Sequence, residues 1–261
     1  MRIFISLVFL LITTSSFAAT FEGKFVQGSF ILGKTDPGSE VFIDKKQVKV
    51  TLNGFFAFGL ERDRKNDVVI TINKKKIVKK VYKRKYNIQR IDGLEEKKVT
   101  PPEEVYERIK RENKWIGQAR AIDSDLTFFT KKFIIPVENA IISGVYGSQR
   151  ILNGKPKWPH YGLDFAADEG AKIKAMLDGT VTLAEPDLFY TGGTLIFYHG
   201  HGISTLYMHM EKILVKKGQK IKQSDIIGTV GSTGRATGAH LDVRLNWFQI
   251  RLDPATVLDV K

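Results

Sequence analysis

No cysteine occurs anywhere in the 261 residues. Disulfides, thiol nucleophiles, thiolate metal sites and lipid attachment through cysteine are all excluded by that one absence. Long apolar runs are missing too. The longest, Ile3 to Ile12, falls short of the roughly 20 residues that a membrane-spanning helix needs. Histidine is scarce and unevenly placed: there are five, and none precedes His160. Acidic residues are in deficit, 28 Asp and Glu against 41 Lys and Arg, for a formal charge of +13.

What stands at the start is a leader. Arg2 provides a positive end, Ile3 to Ile12 an apolar segment, and Ser16-Phe17-Ala18 a small-x-small cleavage site. The expectation is a signal peptide over 1–18 and an exported protein in the periplasm or envelope of a bacterium. The basic residues cluster in KKKIVKKVYKRKY (74–86) and again from Arg108 to Lys114. For an exported chain such charge suits anionic envelope polymers, envelope proteins or membrane surfaces better than nucleic acid. It equally suits a solvated strand face, because Ile77, Val78, Val81 and Tyr82 interleave with the lysines.

Residues 19–93 read as short strands broken by Asp36-Pro37-Gly38, Asp44-Lys45-Lys46 and Asn53-Gly54, the pattern of a small accessory β-sandwich. Residues 94–130 read as a linker with one helix. Thr100-Pro101-Pro102-Glu103 has the form of a capping box, and Val105, Ile109 and Ile116 fall on one helical face. Residues 131–261 are again rich in strand formers and glycine, and hold every histidine. That asymmetry places the chemistry.

Three fragments there carry it: HYGLD (160–164), YMHM (207–210) and HLD (240–242). Gly162 and Leu163-Asp164-Phe165 point to a turn entering a strand. His240 and Asp242, two apart among Leu241, Val243 and Leu245, share one face of a strand. His209 alternates with Tyr207. His199 and His201, set among Gly200 and Gly202, read as turn residues with structural roles.

In order and spacing, SGVYGSQR, HYGLDFAADEGAKIKAMLDGTV, HGHGISTLYMHM, VKKGQKIKQSDIIGTVGSTGRATGAHLD and RLDP resemble the lysostaphin-type, LytM-like zinc metallopeptidases, which cut peptide cross-links in bacterial walls. The resemblance covers about half the chain. It implies a mainly β protein whose C-terminal antiparallel sheet holds one zinc on a groove floor. It implies His160 and Asp164 as zinc ligands, His209 assisting the attacking water or the oxyanion, and His240 as general base. The family's third ligand is the second histidine of H-x-H, and here that position is Asp242. A carboxylate is an accepted zinc ligand, and its harder oxygen makes manganese or iron more competitive. Asp242 can alternatively pair with Arg244 or Arg251. Arg150, Asn153 and Tyr190 are the expected substrate contacts. The implied activity is a metallo-endopeptidase hydrolysing peptidoglycan cross-links with a zinc-activated water. The alternative is a silent relative that binds wall or activates another hydrolase.

Overall fold

The computed structural model describes residues 19–260; the expected signal peptide lies outside them. The N-terminal region forms two small sheets. One joins Thr20–Glu22, Phe30–Lys34 and Phe55–Gly59; the other runs Lys46–Val48, Val41–Ile43, Val68–Ile72, Lys75–Lys79. Alternation puts Ile31, Val41, Ile43, Phe56, Phe58, Val68 and Ile70 into one buried cluster. The lysine-rich Lys75–Lys79 strand is the outer edge, where charge on an unpaired strand opposes edge-to-edge association.

The C-terminal region is built on a sheet whose strands are β1 (Ile141–Gly144), β2 (Leu163–Ala166), β3 (Gly179–Leu188), β4 (Gly192–Gly200), β5 (Ile203–Met210), β6 (Lys220–Ile221), β7 (His240–Trp247) and β8 (Ile250–Leu252). Their spatial order is β6-β3-β4-β5-β7-β2-β1, antiparallel throughout, with β8 paired to β7. One face presents Leu195, Phe197, Ile203, Tyr207, Leu241, Val243 and Leu245, which join the same buried cluster as the N-terminal Ile31, Phe56 and Phe58. The two regions therefore share a core.

The opposite face is divided. Helix α1 (Tyr106–Arg120) covers its β3–β5 half, with Trp115, Ile116 and Ala119 against Leu183, Leu188, Ile196 and Leu206. The β7–β2 half presents polar side chains. Because both faces of β4 and β5 are covered, these strands are buried along their whole length.

The helix does not begin where the sequence suggests. Thr100 instead closes a short turn, Glu96–Val99, and Pro102 is extended (φ −69°, ψ 158°) before a 3-10 turn at Glu103–Val105 leads in. A residue followed by proline is pushed out of the helical region, so the double proline delays the start. Glu112, on the buried side of α1, accepts from Arg108 Nε at 2.6 Å and from the Phe189 backbone N–H at 2.8 Å.

One element has no counterpart in the sequence reading. Ile88–Ile91 pairs in parallel with Gln149–Leu152, so the end of the N-terminal region, just before the linker, is stitched onto the C-terminal region. Both side-chain atoms of Asn153 then bond the backbone of Leu94, at 2.8 and 3.2 Å.

Candidate metal centre and histidine pair

Register brings the carboxylates together. Asp164 on β2 lies directly opposite Asp242 on β7, and both point to the polar half of the sheet face. His160, one turn before β2, completes a trio whose donor atoms all lie within 4.8 Å of one another. Among the described residues no other group of three such side chains does this.

Two glycines make the approach possible. A Cβ at Gly162 would stand 1.9 Å from Asp242 Oδ1, and one at Gly144 would stand 2.1 Å from Asp164 Oδ2. Neither position needs a positive φ; each is glycine because a carboxylate fills the space of its side chain.

The trio is buried and its hydrogen bonding is incomplete. Neither ring nitrogen of His160 has a hydrogen-bond partner, and neither has Asp164 Oδ1. His160 Nε2 lies 3.1 Å from Asp164 Oδ1 without the alignment of a hydrogen bond, and Nδ1 lies 3.9 Å from Asp242 Oδ2. An unsatisfied buried polar atom costs about 1–3 kcal/mol, so several at one point call for a common partner. A divalent cation is that partner chemically: nitrogen and two carboxylate oxygens form a recognised hydrolase ligand set. The residues fit a metal.

The outer atoms of the carboxylates are held by arginine. Arg150 reaches Asp164 Oδ2 at 2.9 Å, and Arg244 grips Asp242 through Nε at 3.3 Å and a terminal nitrogen at 3.0 Å. Burial, and for Asp164 the neighbouring Asp242, push these carboxyls up. His160 and Arg150 outweigh this at Asp164, and Arg244 and His160 at Asp242, so both sit below the ordinary carboxylate range. The pairing of Asp242 with Arg244 does not remove it as a ligand, since each carboxylate oxygen keeps a second lone pair.

His209 reaches this site by an irregularity. Regular alternation would leave it on the face of Tyr207, away from Asp242. Its φ of +64° breaks the alternation at the end of β5, and its ring lies 4.7 Å from that of His240. A left-handed non-glycine residue costs about 1–3 kcal/mol and persists only where its surroundings enforce it. Nδ1 of His209 donates to Thr233 O at 2.8 Å, and Nδ1 of His240 to Gly238 O at 2.9 Å. In the neutral tautomer that these bonds select, Nε2 of each ring is the acceptor. Burial, then His240, pushes His209 down to about 4.

Of the remaining expected contacts, Tyr190 stacks beneath Arg235 with 4.7 Å from guanidinium to ring. Arg150 is committed to Asp164 and to Gln89 Oε1 at 3.3 Å. Asn153 is committed to Leu94, and holds chain rather than presenting an open amide. His199 and His201 stand apart from the trio. His199 bonds Asp178 O at 2.7 Å and Thr205 Oγ1 at 2.8 Å, and the ring of His201 lies 4.7 Å from that of Phe129.

Sheet, trio and histidine pair together form an arrangement suited to metal-dependent hydrolysis, and comparison with known proteins shows what it is similar to. Residues 158–254 match the model of peptidase family M23. That segment, which holds the trio and both histidines of the pair, is what this chain shares with the family. It is 42% identical over 87 residues to the peptidoglycan DD-endopeptidase ShyA of Vibrio cholerae, covering 33% of this chain and 20% of that protein. It is 37% identical over 89 residues to the DD-carboxypeptidase/endopeptidase Mpg of Neisseria meningitidis, again covering 33% and 20%. The match thus spans about a fifth of the length of these curated relatives. A crystal structure of a candidate M23 peptidase from Pseudomonas aeruginosa superposes with a TM-score of 0.67 at 26% identity, over 90% of this chain and 94% of that one. That likeness extends beyond the matched segment to the N-terminal region and linker.

Proposed function

We propose that this protein is an exported metallo-endopeptidase that hydrolyses peptide cross-links of bacterial peptidoglycan. The observation that carries this reading is the buried His160–Asp164–Asp242 trio with its unpartnered donors, set beside two imidazoles with free Nε2 atoms. Support for the substrate comes from the M23 match and from relatives named as peptidoglycan DD-endopeptidases.

His160, Asp164 and Asp242 would hold the cation, zinc in the first instance, with manganese or iron favoured by the second carboxylate. When bound, it supplies Lewis acidity toward a peptide carbonyl and lowers the pKa of water. The protein's own residues do the rest. Nε2 of His240 takes the proton from the attacking water and returns it to the leaving amine. His209 is neutral above about pH 4 and its only N–H is spent on Thr233, so it accepts from the water rather than donating to an oxyanion. Asp164 and Asp242 stay ionised because their arginines hold them so. The basic strand at the edge of the N-terminal region serves attraction to the anionic wall. Among the described residues no helix is long and apolar enough to cross a membrane.

The test is incubation of the purified full-length mature chain with isolated peptidoglycan, with chromatography of the released fragments. Cleavage abolished by a chelator and restored by zinc is the expected result. Wall binding without cleavage in the presence of any of the three metals would overturn the enzyme in favour of the silent, wall-binding alternative.

A further inference from the structure

Beside the trio, on the β1–β2 side, lies a cleft of about 240 Å³ whose floor includes Asp164 and whose rim includes His240. Part of its lining comes from the segment just before the linker, Gln89 and Ile91, and part from the loop that carries Arg235. Beyond Ile91 the chain bridges the two rims. Leu94 is tied to Asn153 on one side, and the carbonyl of Lys98 accepts from Arg235 on the other at 3.3 Å.

The charges of this cleft do not balance. Arg150, on its lining, has a carboxylate partner in Asp164 at 2.9 Å. Arg235 is half-buried, rests on Tyr190, and bonds only a neutral carbonyl among the contacts described. Burial, followed among the charged groups by Arg150 and Arg244, draws its pKa below the usual arginine value. Two guanidiniums, Arg150 and Arg235, therefore line the cleft with one carboxylate, Asp164, and a divalent cation in the trio would raise the excess further. A planar guanidinium fixed on an aromatic ring, desolvated and without an anion, is a receptor for a carboxylate.

We infer that Arg235 binds a free carboxylate of the peptide substrate, in the same cleft that Asp164 and His240 line. The Tyr190 ring and the Lys98 carbonyl hold the guanidinium in position. The inference rests on the peptidase reading and adds substrate selection to it. The carboxylate has two possible sources, the C-terminus of the peptide or the side chain of a dicarboxylic residue within it.

Three synthetic peptides of one sequence separate these: a free terminal acid, its terminal amide, and an amide whose free carboxylate is moved to the side chain. Full-length mature protein with zinc is assayed on each for kcat and KM. One acid is expected to exceed the plain amide by about 10- to 100-fold in kcat/KM, mostly through KM, as for a hydrogen-bonded charge pair. Arg235→Gln collapses that ratio, and Arg235→Lys keeps part of it; melting curves establish that both variants fold. Equal handling of all three peptides, or a preference that survives Arg235→Gln, overturns the inference while leaving the peptidase intact. If no peptide is cleaved, the peptidase reading falls and calorimetric binding of the same peptides decides. Tighter binding of an acid, lost in Arg235→Gln, supports the carboxylate site, and equal binding overturns it.

Discussion

Asp242 has two partners to satisfy, the metal position and Arg244, and its substitutions should read differently for that reason. Asp242→Ala removes a ligand and leaves a buried guanidinium unpaired. Loss of metal to a chelator and a destabilisation of about 3–5 kcal/mol are expected, read by metal analysis and by denaturant unfolding. Asp242→His restores the imidazole seen in relatives of the H-x-H type but still strands Arg244. It should retain metal yet melt earlier than the wild type. Adding Arg244→Met should recover part of the loss. His240→Ala should keep its metal and lose turnover, separating base from ligand on one strand. Each of the two carboxylates is paired with an arginine. Asp164 and Asp242 do not bring two uncompensated negative charges to the metal, so replacing histidine by Asp242 weakens a Lewis acid less than a formal count suggests.

Two buried histidines give the molecule an acid limit. Burial holds both His199 and His209 down to about 4. In the unfolded chain such groups take up protons near pH 6.5, so the unfolded state binds more protons between there and pH 4. Stability is fully present above about pH 6.5 and falls as the pH drops toward 4, by on the order of 3 kcal/mol per histidine. The melting temperature of metal-free protein should decline across that window. Proton NMR of the His199 ring should show no titration before the lower end.

At the scale of elements, two substitutions test how the strands and helix are positioned. Gly162→Ala touches no ligand, yet its Cβ falls on a carboxylate oxygen of Asp242. Metal content should drop as in Asp242→Ala while His160, Asp164 and Asp242 remain. Glu112→Ala should cost about 1–3 kcal/mol in a thermal melt, because it strands the buried N–H of Phe189 and frees α1 from the β3–β4 turn. The pattern of legibility follows from range. The HLD and HYGLD spacings were readable because a strand's period of two is local, and the structure places both carboxylates on the expected face. His209 was not readable in the same way. Its side chain reaches the site through a left-handed backbone that only tertiary packing enforces. The parallel pairing of Ile88–Ile91 with Gln149–Leu152 was invisible for a related reason, since a contact across about sixty residues leaves no periodic trace in either segment.

At the scale of the molecule, the boundary expected near residue 131 is where the shared core matters. Phe133 packs against Phe30 with ring centroids 6.5 Å apart, Arg84 pairs with Asp253 at 2.6 Å, and Arg62 donates to the carbonyl of Gly147 at 2.7 and 2.9 Å. A fragment of residues 131–261 would expose the face of Leu241, Val243 and Leu245 that these partners help to cover. It should aggregate or bind a hydrophobic dye, and size-exclusion chromatography against the full-length chain tests this. A monomeric fragment with native metal content would show the N-terminal region to be dispensable for folding.

The bridge between Leu94 and Lys98 has a consequence for inheritance. The floor of the cleft lies within the segment that defines the family, whereas one wall lies wholly before it. On the peptidase reading, insertions, deletions or exchanges between residues 88 and 99 would reshape that wall without any change to His160, Asp164, His209, His240 or Asp242. That wall is free to drift apart from the groups on the floor, whereas Arg235, within the matched segment, drifts with them.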